Sequence, residues 1–168
     1  MKNIAVILGG CGTKDGSEIN ETVTLLLALD QHGLKYQCFA PDKEQYQVVN
    51  HVTGEVVDEK RNMMVEAARI VRGNILPMTE FNADNYDGLA IPGGVGVANN
   101  LFTYFIDGIN MTVLPEVRDA IVKIHEQNKP IAAMCIAPVL IANVLDDVTV
   151  TLGNADCGPA KDILKMGA

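Results

Sequence analysis

Short apolar runs alternate along the chain with longer stretches in which apolar residues recur every three or four positions, the pattern of an α/β domain on a mainly parallel sheet. Residues 3–8 open it as a strand, apolar from Ile4 to Leu8 and so expected to be central and buried on both faces. Beyond a glycine-rich loop, Ser17 is placed to cap a helix that carries Ile19, Val23, Leu26 and Leu27 to its end near Gly33. A strand follows over 35–40. Residues 47–57 hold two β-prone runs around Thr53-Gly54 and read as a small hairpin or an excursion from the main sheet. The spacing then predicts a helix over 61–72 and strands over 75–78 and 88–91, the latter ending at Pro92-Gly93-Gly94. Pro115 suits the first turn of a helix reaching about Asn128. A strand over 131–134, a short helix over 138–145, a strand over 148–152 and a helix over 159–166 complete the reading. No repeat, linker or low-complexity tract interrupts it, so residues 1–168 are read as one domain.

Charge narrows the partners. Lys and Arg number 13 against 21 Asp and Glu, a formal net charge of −8, and such a surface repels a phosphate backbone, which argues against nucleic acid. The longest apolar runs fall well short of the ~18 residues that cross a bilayer. Lys2 and five apolar residues run directly into Gly9-Gly10, too short for a secretory h-region. A cytosolic protein without a membrane partner is expected. Cys11, Cys38, Cys135 and Cys157 lie far apart with no CxxC, which fits reduced thiols rather than a disulfide scaffold. Asn20-Glu21-Thr22 and Asn110-Met111-Thr112 would be glycosylation acceptors only in a secreted chain.

Sites of open α/β sheets form beyond the carboxyl ends of the strands, and three strand-to-helix loops stand out. Residues 9–18 are glycine-rich but match neither phosphate-loop template: GxxxxGK[ST] fails at the Lys, and GxGxxG has its last glycine displaced to Gly16. In Pro92-Gly93-Gly94-Val95-Gly96 the glycines serve either to turn the chain or to aim backbone N–H groups at an oxyanion. The third loop, Ala132-Ala133-Met134-Cys135-Ile136-Ala137-Pro138, is the most informative. A Cys ends an apolar strand, small residues stand two positions either side, and a Pro occupies the first turn of the next helix. That is the strand-turn-helix shape of a nucleophile elbow, at a helix N-terminus where peptide dipoles favour a thiolate. The competing reading is a Cys that simply packs.

A partner for that thiol is not a histidine on this pattern. His32 ends a helix, His51 lies in the hairpin region, and His125 occupies the last turn of a helix, where a cation suits the dipole. No His follows Cys135, and no His/Cys/Asp/Glu cluster has metal-ligand spacing. A carboxylate remains. Glu18 is the candidate, because its loop and the elbow converge at one end of the sheet, although a Glu in a helix's first turn is also favoured by the dipole alone. Asp15 has a weaker claim by position. Cys11 could approach the same pocket as a second redox centre or merely pack, while Cys38 and Cys157 read as structural.

The blocks CGTKDGSEINETV, CFAPDKEQ, NHVTGE, RNMMVEAARIVRG, IPGGVGVANNL and MCIAP, in this order, resemble the ElbB-type glyoxalase family, an amidotransferase-like branch of the PfpI/deglycase superfamily. The resemblance implies a flavodoxin-like three-layer sandwich, a class I glutamine amidotransferase-like domain, with Cys135 catalytic and Glu18 its carboxylate neighbour. It implies oxyanion donors among the backbone N–H groups of Gly93 or Gly94 and Ile136, and a homodimer. The implied activity is cofactor-free conversion of glyoxal to glycolate, with a small reactive aldehyde or a glycated protein as substrate, and the family's naming also carries a link to isoprenoid metabolism.

On this reading Cys135 attacks the aldehyde, and Glu18, if burial keeps it neutral, shuttles a proton. Two alternatives stay open: a non-enzymatic sensor of oxidative stress acting through Cys135 oxidation, and a Cys hydrolase or amidotransferase, which the missing His disfavours. The resemblance further implies that relatives continue past Ala168 with more strands and a closing helix, so the C-terminal elements are expected to be short of the family's full set, leaving an unpaired edge or apolar face.

Overall fold

β1 (Asn3–Ile7) lies at the centre of the sheet and pairs in parallel on both sides, with β2 (Lys35–Ala40) and with β6 (Gly88–Ile91). β5 (Ile75–Pro77) extends the sheet beyond β2, and β7 (Ile131–Ala133) beyond β6, giving five parallel strands in the order β5-β2-β1-β6-β7. The order reverses between β1 and β6, so the crevice beyond their carboxyl ends is where this topology opens a site. The structure is a computed structural model covering residues 1–168.

Alternation along β1 builds the two faces. Ala5 and Ile7 join one buried cluster with Phe39, Leu89 and Ile91, covered by α5 (Pro115–Glu126) through Val117, Ile121 and Ile124 and by α6 (Ala137–Val144). Val6 and Leu8 point the other way, into a smaller cluster under α1 (Ile19–Gln31) and α2 (Met63–Ile70) with Leu26 and Ala67. The result is the expected three-layer α/β sandwich. Each fully buried Ile or Leu of these faces contributes about 2 kcal/mol of transfer free energy, so the central strands are the firm part on which the loops are mounted.

The hairpin appears as β3 (Val48–Val49) and β4 (Val56–Val57), antiparallel and outside the main sheet. Two short helices not expected from the sequence, α3 (Val97–Asn100) and α4 (Tyr104–Asp107), carry the chain from β6 to α5. The last helix, α7 (Gly158–Met166), ends in a left-handed Gly167. The expected strand over 148–152 is absent. Val148, Val150 and Leu152 do turn toward the core while Thr149 and Thr151 face out, but the segment makes no backbone ladder. A groove of about 420 Å³ separates it from β7, so the alternating pattern has packing without a strand to pair with.

One side chain from outside loop 9–18 ties two of its carbonyls together. The Asn100 amide, buried at the end of α3, donates to the carbonyls of Gly9 at 2.8 Å and Asp15 at 2.9 Å and accepts from the N–H of Tyr46 at 2.8 Å. Asn100→Ala strands all three backbone groups, so it should lower unfolding free energy by about 3 kcal/mol, read as a shift in the urea midpoint with an unchanged slope.

Candidate active site

Cys135 ends the turn after β7 with φ of +56°, a left-handed conformation that side chains other than glycine rarely adopt. The turn is held by the N–H of Met134 on the carbonyl of Ile91 at 3.1 Å, and by the N–H of Ala137 on the carbonyl of Met134 at 2.9 Å. Pro138 occupies the first turn of α6, which launches the helix directly from the strained residue. The strand-turn-helix elbow read from the sequence is therefore present, and Cys135 stands exposed at its tip.

Three glycines let loops meet there. Gly96 packs so closely on Asp15 and Gly16, and Gly94 on Gly16, that a β-carbon at either would overlap backbone. A β-carbon on Gly93 would collide with that of Cys135 and stand 2.9 Å from a Glu21 carboxylate oxygen. Across this contact the start of α1 docks in both directions: the N–H of Glu18 donates to the Gly93 carbonyl at 2.8 Å, and the N–H of Gly93 donates to Glu21 Oε2 at 2.8 Å.

The carboxylate beside the thiol is Glu21, not Glu18. Glu18 is the N-cap of α1; its Oε2 accepts from the Glu21 N–H at 2.7 Å, and Oε1 accepts from the Asn20 amide at 3.3 Å. That spends the Glu18 side chain on the helix end, although it still lines the pocket. Ser17, expected as the cap, is instead fully buried with its hydroxyl accepting from the Gly9 N–H at 2.9 Å. The helix thus starts one residue later than read, and the third helical residue becomes Glu21. The signal that could have found it is this N-cap to N3 spacing, since a capping side chain turns back to the helix and leaves the N3 side chain free.

Electrostatics at the sulfur run against the expected thiolate. Partial burial is the largest effect and pushes the Cys135 thiol above its ordinary pKa; the Glu21 carboxylate adds to this by its charge and by accepting the S–H, while N–H groups of Gly94 and Ile136 donated to the sulfur pull the other way. The net direction is up, which favours the thiol over the thiolate. The backbone N–H groups of Gly94 and Ile136 face the sulfur. Gly93 does not, because its N–H is committed to Glu21.

A cavity of about 390 Å³ opens over the thiol, floored by Glu18, Glu21, Gly94 and Ile136 and walled by Val95, Phe105, Leu152 and Pro159. Cys157, read from sequence as structural, lines it too. Asp15 does not: it is buried, with Oδ2 accepting from the Val49 N–H at 2.8 Å and Oδ1 3.7 Å from His51 Nε2, a contact that fastens the hairpin to the loop. Nor does Cys11, whose thiol is pushed up by burial first and then by Glu66, against an opposing pull from Arg69. Cys38 is buried in β2 and pushed up to about 12 by burial. None of the three histidines lines the cavity. No group of three or more His, Cys, Asp or Glu side chains converges in the way a metal ion needs, and no helix is long and apolar enough to cross a membrane.

Comparison with known proteins places the chain in a family. The chain is 40% identical over 174 aligned residues to the human glutamine amidotransferase-like class 1 domain-containing protein 3, mitochondrial, and 42% identical over 174 to the rat ES1 protein homolog, mitochondrial. Both alignments cover 98% of this chain and 65% of the relative, so the chain spans just under two thirds of their length. The crystal structure of an isoprenoid biosynthesis protein with amidotransferase-like domain from Ehrlichia chaffeensis superposes with a TM-score of 0.90 at 43% identity, covering 99% of this chain and 76% of that one. The resemblance carried by the chain's own motifs holds at this level, and with residues 4–152 matching its family description, the chain belongs to the DJ-1/PfpI family.

Proposed function

We propose that this protein is a cofactor-independent glyoxalase that converts glyoxal to glycolate through a hemithioacetal on Cys135, with Glu21 carrying the proton and protein-bound glyoxal adducts as a related substrate class. The observation that carries this reading is the thiol on a strained, exposed elbow, beside a carboxylate that the Gly93 N–H holds in place. Such an arrangement keeps the nucleophile protonated at rest and provides the base that removes the proton as attack begins.

The steps balance within the chain's own groups and water. The Cys135 sulfur adds to one aldehyde carbon of glyoxal as the S–H proton passes to Glu21, and the oxygen that gains charge is met by the N–H groups of Gly94 and Ile136. Protonation of that oxygen gives the hemithioacetal. Glu21 then takes the hydrogen of the sulfur-bearing carbon and returns a proton to the second carbon by way of an enediol, leaving a thioester of glycolate. Water hydrolyses the thioester and restores the thiol, so glyoxal plus one water becomes glycolate. The cavity is far larger than glyoxal itself, which supports an aldehyde carried on a larger body.

A second reading keeps the same thiol as a non-enzymatic sensor, oxidised by peroxide with Glu21 accepting from the sulfenic acid. The exposed position of Cys135 favours it. The hydrolase or amidotransferase reading has no histidine on the cavity wall to support it.

Glyoxal consumption, followed with glycolate appearance by proton NMR, separates these. Cys135→Ala should abolish both, whereas turnover that is negligible in the unmodified protein contradicts the enzyme reading and leaves the sensor. Glu21→Gln should slow turnover by about 10²–10⁴-fold, the usual worth of a positioned general base. Glu18→Gln should cost less than about tenfold, since a neutral amide still accepts from the helix N–H; equal losses for the two would overturn the assignment of Glu21 as proton carrier.

A further inference from the structure

Two cysteines face the same cavity. Cys135 and Cys157 both line it, together with Leu152 and Gly153. Cys157 occupies the N-cap of α7 but makes no capping bond with its side chain; its sulfur has only a 4.0 Å contact with the Leu152 carbonyl. The thiol is therefore uncommitted to the helix it precedes.

The chain leading to Cys157 packs on the core through Val148, Val150 and Leu152 but forms no backbone ladder. Residues 146–153 neither donate nor accept a backbone-to-backbone hydrogen bond, and the first such bond after Leu145 comes from the Cys157 N–H to the Asn154 carbonyl at 2.9 Å. Gly153 has φ of +49°. The helix behind is fixed: the Tyr104 hydroxyl donates to Asp162 Oδ2 at 2.8 Å, and Ile163 is buried in the main core. Residues 146–153 are held by the packing of Val148, Val150 and Leu152 and not by backbone hydrogen bonds, so they open locally more readily than the sheet does. Cys157 joins this stretch to α7, so opening of the segment together with fraying of the helix's first turn is the movement that brings its thiol to Cys135.

We propose that Cys157 is the resolving thiol of Cys135, closing a reversible disulfide over the site when the protein meets a hydroperoxide. The inference rests on the reading of Cys135 as the reactive thiol. In the first step the Cys135 sulfur takes the terminal oxygen of the hydroperoxide; the O–O bond breaks, sulfur is oxidised by two electrons to a sulfenic acid, and the alcohol or water leaves with the proton. In the second, the Cys157 sulfur attacks the sulfenic sulfur, the S–S bond forms, and the sulfenic oxygen departs as water with the Cys157 proton. A small-molecule thiol reverses the bond. The consequence is protection: sulfenic acid that is captured in this way cannot take up a second oxygen and become sulfinic acid, which thiols do not reduce.

The experiment is a non-reducing peptide map of the whole protein after graded hydrogen peroxide, with iodoacetamide blocking free thiols, on the unmodified protein and on Cys157→Ser. Expected are a linked Cys135–Cys157 peptide pair that dithiothreitol releases, and sulfinic acid at Cys135 accumulating about tenfold faster in Cys157→Ser, where the capture step is missing. Circular dichroism confirms that the variant is folded. Equal rates of sulfinic acid formation with no linked pair, or a bridge from Cys135 to Cys11 instead, would overturn the assignment of Cys157 while leaving Cys135 as the reactive thiol. If Cys135 is neither oxidised nor alkylated in either protein, the underlying reading fails as well, a result distinguishable from the first because it is seen at Cys135 itself.

Discussion

The site depends on one reciprocal contact: the start of α1 gives an N–H to the Gly93 carbonyl and takes the Gly93 N–H onto the Glu21 carboxylate, both at 2.8 Å. This pair fixes the first-strand loop, the turn after β6 and the elbow after β7 against one another at the point where the strand order reverses. A side chain at Gly93 would strike Cys135 itself, and side chains at Gly94 or Gly96 would strike the backbone of the first loop. The glycines are thus needed for approach distance more than for turning, and Asn100 holds the loop they approach by bonding Gly9 and Asp15 from behind.

The same contact sets the chemistry. A carboxylate that accepts from a backbone N–H is held in place, so Glu21 stays beside the thiol and adds to the upward push of burial on its pKa; the N–H groups of Gly94 and Ile136 act in the opposite sense. The dipole of the helix that starts after the elbow favours an ionised sulfur. Burial first, and then the adjacent Glu21 charge, push the thiol's pKa up here.

Much of this was legible in the residues. The apolar run at Ile4–Leu8 placed the central strand, and the small residues around Cys135 with Pro138 beyond placed the elbow, because both patterns report a local steric need. What escaped was a choice of one residue in register. Ser17 is a strong cap by type, but the Gly9 N–H claims its hydroxyl inside the protein, so Glu18 caps the helix and the free carboxylate is Glu21. Helix starts are decided by such competition for hydrogen-bond donors, which a single sequence does not display. The segment over 148–152 fails for a related reason: alternation describes which side chains face inward, but a strand also requires a partner within bonding distance, and a groove lies there instead. Cys157 reached the cavity by the path of that same segment, a matter of tertiary packing that its isolated position in the chain could not convey.

The pH dependence of Cys135 alkylation in Glu21→Gln tests the central claim most directly. If the ionised Glu21 raises the thiol's pKa by charge and by accepting the S–H, removing the charge lowers it, and the midpoint for iodoacetamide labelling moves to lower pH than in the unmodified protein. A midpoint that stays where it was, or moves to higher pH as it would if Glu21 were a neutral acid donating to a thiolate, contradicts the account.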